Sequence, residues 1–494
     1  MTEPRTDDLH RTLRITAARG TAVTLGSQAV RAAIVLASVV LLARLVEPAS
    51  FGLLAMVTAV TGVAEVFRDF GLSMSALRAR ELTHGQRSNL FWINTGVGAA
   101  LTALILLSSW PIAAFYDTPA LVPVVQAVSV VYLLGGMTAQ FRVAINRDLR
   151  FGALAVTEVV PPAVALALAL ALAATGHSLA ALVVQQVAMA GATLVLAAAL
   201  AHWRPGRPRR GEPMRELVSF GLSYAATQLL TYATRNLDSV AIGRVWGAVP
   251  LGTYDRAFQL SVAPFNQISA PMTRVALPVL ARLVDTPARY AGSLRRAQLV
   301  ASYVTSGLLL LLAGLGTPVT VLLLGERWAA AGPVLSVLAL GTVLRSLQQV
   351  TNWMFMSHGR ADAQLRLHLV GQPVVIVLML AGLPLGPIGV AAGSAVGYAV
   401  FLAMALPWAG RVTSTPVRPL ASDATRAVLV VGLPAGVAAH LVATHVAAGP
   451  LLQVVAGVGA AAAWYLVAWA AVPRVRADVA VLRRFVTLAL GGSR

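Results

Sequence analysis

Long apolar stretches separated by short polar gaps run along most of the chain. From Gly20 onward there are fourteen stretches of about 19 to 29 mostly apolar residues, and each is long enough to cross ~30 Å of hydrocarbon as a helix. The pattern predicts an all-α integral membrane protein with about 14 transmembrane helices, segments 1 to 14. Their approximate bounds are 20–43, 51–71, 90–113, 122–146, 152–175, 179–202, 216–240, 253–281, 297–324, 332–357, 367–385, 388–409, 427–446 and 450–472.

Arginines are concentrated at the two ends of the chain and in every second gap between segments. Twenty-eight of the thirty-eight arginines occupy these places, whereas the intervening gaps hold only Arg44, Arg244 and Arg327. Short arginine-rich loops remain on the cytoplasmic side of a membrane. We therefore expect both termini to be cytoplasmic and the chain to cross the bacterial cytoplasmic (inner) membrane an even number of times.

The composition agrees with this class of protein. Hydrophobic residues make up 57% of the chain and charged residues 12%, which is typical of a multi-pass membrane protein. The net charge of +19 lies at one set of helix ends, where it meets anionic headgroups of membrane lipids, so we expect no nucleic-acid partner. The chain has no cysteine, which excludes disulfides and cysteine-ligated metals. No motif predicts a metal or another cofactor.

Two stretches of the chain resemble each other. Ala43–Val57 and Gly243–Ala257 both place a small residue and arginine before a proline-containing turn and a glycine that opens the next segment. A repeat of about 200 residues predicts two pseudo-symmetric six-helix lobes, an arrangement that places a transporter's binding site near the bilayer midplane. The expected domains are a cytoplasmic arm (1–19), an N-lobe (20–202), a basic cytoplasmic linker (203–215), a C-lobe (216–410), two further helices (411–472) and a tail (473–494).

The tail is amphipathic. Its apolar residues recur every three or four positions, which puts them on one helical face away from the arginines; they are Val475, Val479, Leu482, Val486 and Leu490. This pattern predicts a helix that lies at the cytoplasmic face of the membrane, with a solvated tail as the alternative.

Several segments carry arginine together with amide side chains on one helical face. A central arginine costs ~2.5–3.5 kcal/mol in hydrocarbon, so such residues face partners or water. The stripes predict either a hydrated, positively charged cavity for an anionic headgroup or hydrogen bonds between helices. The predicted cavity arginines are Arg31, Arg68, Arg235, Arg256, Arg274 and Arg345. The predicted polar lining is Gln28, Gln228, Gln259, Gln267, Gln348, Gln349 and Asn352.

The carboxylates within the segments have two interpretations. Glu65, Arg68 and Asp69 are spaced so that they can neutralise one another on one helix face, and Arg235 and Asp238 have the same three-residue spacing. Arg142 lies about a turn from the end of segment 4 and can extend its charge to the interface. The candidates for ion coupling are Glu65, Asp69, Asp238 and Asp255.

Four stretches resemble motifs of the Wzx-type polysaccharide exporters, which belong to the multidrug/oligosaccharidyl-lipid/polysaccharide flippase superfamily. The longest is Arg235–Pro271, RNLDSVAIGRVWGAVPLGTYDRAFQLSVAPFNQISAP. The others are Phe51–Ala79, FWIN at Phe91–Asn94 and NRDLRF at Asn146–Phe151. The resemblance runs from about Gly20 to Gly410 and is weaker in the last four segments.

This resemblance implies a V-shaped transporter that flips an undecaprenyl-pyrophosphate-linked oligosaccharide to the outer leaflet for O-antigen, capsule or exopolysaccharide synthesis. Related flippases carry arginines in helices 1, 2 and 8, and the matching positions here are Arg31, Arg68 and Arg256. The implied partners are the lipid-linked oligosaccharide, membrane lipids, and polysaccharide polymerase or chain-length proteins. The glycan, its repeat length, the driving force, the oligomeric state and the inward- or outward-facing state stay open.

Three alternatives are weighed against this function. A cation-coupled multidrug antiporter of the same superfamily needs carboxylates in its lobes, whereas segment 1 carries Gln28 and Arg31 and no acid. A flippase of the peptidoglycan precursor would carry the same kind of polyprenyl pyrophosphate. A membrane-embedded enzyme is disfavoured because the outer gaps are short and no catalytic set or nucleotide-binding loop is present.

Overall fold

The computed structural model describes residues 6–69, 71–79, 82–219, 236–447 and 449–491, and in these ranges the regular structure is helical. The chain divides into two compact units, Met1–Gly252 and Thr253–Arg494. The helices of unit 1 are α1 (Thr6–Leu45), α2 (Pro48–Asp69), α3 (Leu72–Arg78), α4 (His84–Leu107), α5 (Ser109–Phe115), α6 (Leu121–Arg147), α7 (Phe151–Ala174), α8 (Ser178–Leu200), α9 (Leu237–Trp246) and the start of α10 (Ala248–Arg282).

Unit 2 contains the rest of α10 and nine further helices. They are α11 (Pro287–Gly314), α12 (Gly316–Leu324), α13 (Ala331–Ser357), α14 (Ala361–Ala381), α15 (Gly386–Thr413), α16 (Arg418–Thr425), α17 (Leu433–His445), α18 (Pro450–Ala471) and α19 (Pro473–Gly491). Short 3₁₀ turns cover Glu326–Trp328 and Leu383–Leu385, and a π-helical turn, Arg426–Gly432, joins α16 to α17.

Twelve helical stretches within the described ranges are long and apolar enough to span a membrane. They correspond to twelve of the fourteen predicted segments. Most of segment 7 lies at 220–235, outside the described residues. Segment 8 is the 35-residue helix α10, whose mean hydropathy is lowered by charged, amide, serine and proline residues. The chain is therefore a multi-pass membrane protein, and the number fourteen is not confirmed.

The described part of the N-terminal arm is helical. It continues segment 1 as a single helix from Thr6 to Leu45. The sequence between them has no proline, and it is rich in alanine, leucine and arginine, which are good helix formers. The polar residues before Gly20 mark the start of the apolar span, but the helix itself starts at Thr6.

The predicted repeat has a local counterpart in unit 1. The helix pairs α1–α2 and α9–α10 each join two helices through a break of one or two residues. The two turns pack together at their glycines, because a methyl group added at Gly52 would overlap the backbone carbonyl of Ala248, and one added at Gly252 would overlap that of Pro48. These four positions pair with a constant offset of two hundred residues, so the contact is symmetric.

The gaps after segments 2, 4 and 6 meet at one end of unit 1. Arg147 Nη1 donates to the carbonyl oxygens of Ala76 and Ala79, both at 2.6 Å. Arg150 Nη1 donates to the carbonyl oxygen of Leu200. The gaps after segments 1, 3 and 7 meet separately, where Gly243 packs on Tyr116 and Gly252 packs on Pro48. The predicted arginine-rich and arginine-poor gaps are thus segregated in space within this unit.

The basic linker, 203–215, packs along the start of α4. Trp203 is buried beside Phe91, and the Asn89 amide exchanges two hydrogen bonds of 2.8 Å with the backbone of Arg209. Three more bonds join Thr83 Oγ1 to Glu212 Oε2 (2.8 Å), Gly206 N to Ser88 Oγ (3.0 Å) and Trp92 Nε1 to the Gly206 carbonyl (2.8 Å). The linker is therefore a bound part of unit 1.

The amphipathic tail packs on unit 2. Val475 and Val479 of α19 lie in an apolar cluster with α18 and the π-helical turn. Asp478, buried beside them, accepts hydrogen bonds from Tyr303 Oη (2.7 Å) and Arg426 Nε (2.7 Å). Arg426 also pairs with Asp423 (2.8 Å), which binds Arg295 at 2.5 Å. This chain of ion pairs joins α11, α16 and α19, so the first half of the tail is attached to protein and not only to the interface.

Candidate functional site

Glu65 and Arg68 form the predicted ion pair near the end of α2. Arg68 Nη2 lies 2.7 Å from Glu65 Oε1, as expected for oppositely charged residues three apart on a helix. The Arg68 side chain crosses to α6 and lies over Gly135, where an added methyl group would come within 2.7 Å of Arg68 Nε. Glycine at this position makes room for the arginine between the two helices.

A second ion pair lies close to the first. Arg142 Nη2 on α6 is 3.5 Å from Glu158 Oε1 on α7. Arg31 of α1 and Arg68 of α2 are both near enough to Arg142 to interact with it electrostatically. Four helices of unit 1 therefore bring three arginines and two glutamates together, and the cluster carries one excess positive charge.

The sequence predicted Arg31 and Arg68 for this cluster but not Arg142 and Glu158. The sequence indicated only that Arg142 can extend its charge to the interface, and the structure places it against an acid on the neighbouring helix. Gln28, one turn before Arg31, is exposed on α1. The only sequence signal for the missed pair was the presence of one charge of each sign in segments 4 and 5.

In unit 2, the start of α10 carries a compact polar group. Arg256 Nη2 lies 2.7 Å from Asp255 Oδ2, and Gln259 Nε2 donates to the same oxygen at 3.0 Å. The Arg256 side chain is 11% exposed, so most of its surface contacts protein. Further along the same helix, Gln267 and Arg274 are exposed. The predicted stripe of α10 thus divides into a buried end and an exposed end.

The stripe of α13 contacts α10 and α14. The guanidinium of Arg345 lies over the ring of Phe265, 5.7 Å from its centroid. Gln349 Nε2 donates to Thr273 Oγ1 at 3.2 Å, and Asn352 Oδ1 accepts from Gln364 Nε2 at 3.2 Å. These amides connect three helices of unit 2, as the alternative of interhelical hydrogen bonding predicts.

The remaining predicted residues are either buried or outside the described residues. Gln348 is buried, only 6% exposed. Asp238 is buried in the first turn of α9 and accepts a hydrogen bond from the Ser239 amide at 2.7 Å. Gln228 and Arg235, and the side chain of Asp69, lie outside the described residues. The predicted pairs of Arg235 with Asp238 and of Arg68 with Asp69 therefore stay predictions.

Two solved structures resemble the fold over most of the chain. One is described as the lipid II flippase MurJ in an inward closed conformation; it has a TM-score of 0.71 and 12% identity, over 92% of this chain and 99% of that chain. The other is an inward-facing multidrug resistance MATE family transporter, with a TM-score of 0.59 and 17% identity over 78% and 94% of the two chains. At these identities the likeness is one of fold, and it confirms the predicted all-helical membrane fold.

Sequence relatives are polysaccharide biosynthesis proteins. The teichuronic acid biosynthesis protein TuaB of Bacillus subtilis (strain 168) is 28% identical over 305 residues, or 61% of this chain and 63% of TuaB. The lipopolysaccharide biosynthesis protein WzxC of Escherichia coli (strain K12) is 24% identical over 364 residues, 72% of this chain and 73% of WzxC. The succinoglycan biosynthesis transport protein ExoT of Rhizobium meliloti (strain 1021) is 22% identical over 305 residues, or 61% of each protein. The match thus spans less than two thirds of TuaB and of ExoT.

The resemblance to Wzx-type exporters drawn from the motifs is confirmed by these relatives. A family model described as polysaccharide biosynthesis protein matches residues 41–333, which is more than half of the chain. The matched region contains four of the six predicted cavity arginines and three of the seven predicted polar lining residues. The chain belongs to this polysaccharide biosynthesis protein family.

Proposed function

We propose that the chain is a lipid-linked oligosaccharide flippase. It translocates an undecaprenyl-pyrophosphate-linked glycan repeat unit from the cytoplasmic to the outer leaflet of the bacterial cytoplasmic membrane for surface polysaccharide synthesis. The family and the names of its relatives support a transporter rather than an enzyme. Both termini and the basic linker lie on the cytoplasmic side, as the arginine distribution predicts.

The observation that carries the proposal is the arginine cluster of unit 1. Arg31 and Arg142 lie within candidate membrane spans, and Arg68 follows the span of α2 by three residues on the same helix. Charges inside a span are retained only for function or pairing. Guanidinium groups bind phosphate oxygens in a bidentate manner, so a diphosphate headgroup suits such a cluster. Arg256 and Arg345 are further proposed substrate contacts, as their polar stripes predict.

The positive charge of the proposed site distinguishes a flippase of an anionic lipid from a cation antiporter of the same fold class. Glu65, Glu158 and Asp255 each form an ion pair with an arginine. These carboxylates are therefore already neutralised by protein groups, whereas a cationic drug or a coupling cation needs an acid to receive it. A positively charged site favours an anionic lipid, and a downstream polymerase and chain-length proteins are the expected partners for its glycan.

Deletion of the gene tests the proposal directly. Polyprenyl-linked intermediates extracted from the deletion strain should include an accumulated oligosaccharide-diphosphate lipid on the cytoplasmic side, together with loss of one surface glycan. Complementation with Arg31→Gln or Arg345→Gln should not restore export, although the protein is inserted at normal abundance. Arg327→Gln, at an exposed arginine outside the spans, is the matched control and should restore export fully. Normal lipid intermediates in the deletion strain would contradict the function.

A further inference from the structure

Arg142 and Glu158 form an ion pair that has no role in the proposed function as stated above. They lie on separate membrane-spanning helices, α6 and α7, and meet through a nitrogen–oxygen contact of 3.5 Å. Their side chains are 44% and 23% exposed. Because an exposed charge inside a span is costly against hydrocarbon, this exposed surface faces a water-accessible space.

The neighbouring pair is of a different kind. Glu65 and Arg68 are three residues apart on one helix and approach to 2.7 Å, so the helix itself holds them together. Glu158 is brought to Arg142 only by the packing of two helices, and the contact is longer. Of the two carboxylates in the cluster, Glu158 is the one that an incoming anion can replace with less disturbance of the protein.

The surroundings favour such an anion. Arg31 and Arg68 already place positive charge near Arg142, and among the described residues Arg31 forms no ion pair. With Glu158 in place the five charges sum to one positive charge. Without its contribution the three arginines face only Glu65, so the site gains attraction for a group that carries several phosphate oxygens.

We propose that Arg142 is a third cation that binds the substrate's diphosphate. Glu158 is an internal counter-ion that pairs with Arg142 until the diphosphate displaces it. This inference rests on the proposed function, since it concerns the headgroup of the same substrate. The displaced carboxylate turns to the water-accessible space, and it returns to Arg142 when the headgroup leaves. Glu158 thereby competes with the substrate and limits how tightly the site can hold it.

The experiment measures binding of geranylgeranyl diphosphate, with geranylgeraniol as the probe that lacks phosphate, to the purified full-length protein. Calorimetric titration should show about tenfold weaker diphosphate binding for Arg142→Gln, the loss expected for a charged contact. Glu158→Gln should bind the diphosphate about three- to tenfold more tightly, because the amide no longer competes as an anion. Glu158→Gln should raise the affinity less in the Arg142→Gln background than in the wild-type background, because the carboxylate no longer has Arg142 to compete for, and geranylgeraniol binding should be unchanged throughout.

The possible results separate the two proposals. Glu326→Gln, at an exposed acid outside the spans, is the control and should leave the affinity unchanged. If wild-type protein binds the diphosphate and Glu158→Gln binds it equally or more weakly, the counter-ion proposal is wrong while the flippase function stands. If wild-type protein binds geranylgeraniol more tightly or does not bind the diphosphate, the proposed headgroup site is wrong, and both proposals fail. A merely structural role for Glu158 would lower the melting temperature of the variant without raising its affinity.

Discussion

Gly52 and Gly252 occupy equivalent positions of two similar turns, and each packs against the backbone of the helix that carries the other. Neither position has room for a side chain, because a methyl group at Gly52 would overlap the Ala248 carbonyl and one at Gly252 the Pro48 carbonyl. Glycine is therefore needed here for close helix approach, and not for a special backbone conformation. Small residues serve the same purpose wherever membrane helices cross at short distance.

We expect Gly252→Ala to lower the stability of the protein by about 1–3 kcal/mol, since the methyl group must push α2 and α10 apart. The melting temperature in detergent should fall, and Gly52→Ala should have a similar effect. Gly96→Ala is the matched control, because this helical glycine has open space around it and alanine favours the helix. Equal melting temperatures for Gly252→Ala and the wild type would show that the two helices do not need this approach.

The bound linker gives a second prediction. Asn89→Ala removes both hydrogen bonds between the Asn89 amide and the Arg209 backbone, each worth about 1 kcal/mol. Hydrogen–deuterium exchange of the linker amides, Arg209 above all, should become about five- to tenfold faster. Thr175→Ala, which removes a bond to the Leu172 carbonyl elsewhere on the surface, should leave the linker unchanged. Unchanged exchange in Asn89→Ala would mean that the packing of Trp203 and the other three hydrogen bonds are sufficient to hold the linker.

The charged network beneath the tail should be sensitive to loss of one partner. Asp478→Ala leaves Arg426, which is 10% exposed, without one of its two carboxylates, and breaking a buried pair in this way costs about 3 kcal/mol. The melting temperature should fall and trypsin should cut the tail at Arg476 and Arg483 sooner. Asp362→Ala, which removes two exposed ion pairs, should change neither quantity. A tail that stays protected in Asp478→Ala would show that its apolar face is sufficient.

Substitution of Thr273 tests whether the polar stripe of α13 stabilises the packing of α13 on α10. Thr273 Oγ1 accepts from Gln349 Nε2 (3.2 Å) and from Trp353 Nε1 (3.0 Å). Thr273→Val removes this acceptor without changing the shape, so both donors lose a partner and stability should fall by about 1–2 kcal/mol. Thr273→Ser should retain stability, and Thr444→Val, at an exposed site bonded within its own helix, should have little effect. No loss in Thr273→Val would favour Gln349 as a cavity residue.

Sequence reasoning located the helices because bilayer thickness sets their length. Segment 4, expected at 122–146, is helix α6 at Leu121–Arg147, since hydropathy changes sharply where the membrane ends. The start of α1 shows the limit of this rule. Hydropathy reports the apolar span but not where the helix begins, so the helix from Thr6 onward was not predicted.

In the charged cluster, too, the sequence predicts what one helix determines and not what depends on the packing of several helices. Glu65 and Arg68 could be paired from their spacing because one helix determines their geometry. Arg142 and Glu158 are on different helices, and Asp478 reaches Arg426 across more than fifty residues. Such contacts depend on which helix faces are packed together, and the periodicity of a single helix carries no information about that choice.

The topology allows a test that uses the absence of cysteine from the chain. Ala120 and Ala330 lie in arginine-poor gaps of unit 1 and unit 2, and Arg210 and Arg360 in arginine-rich ones; all four are exposed. Since arginine-rich gaps remain cytoplasmic, a membrane-impermeant maleimide should label single cysteines at Ala120 and Ala330 in intact cells. Cysteines at Arg210 and Arg360 should react only after permeabilisation, which also controls for their reactivity. Labelling of Arg210→Cys in intact cells would show that the linker lies at the outer face, and the predicted orientation of unit 1 would then be wrong.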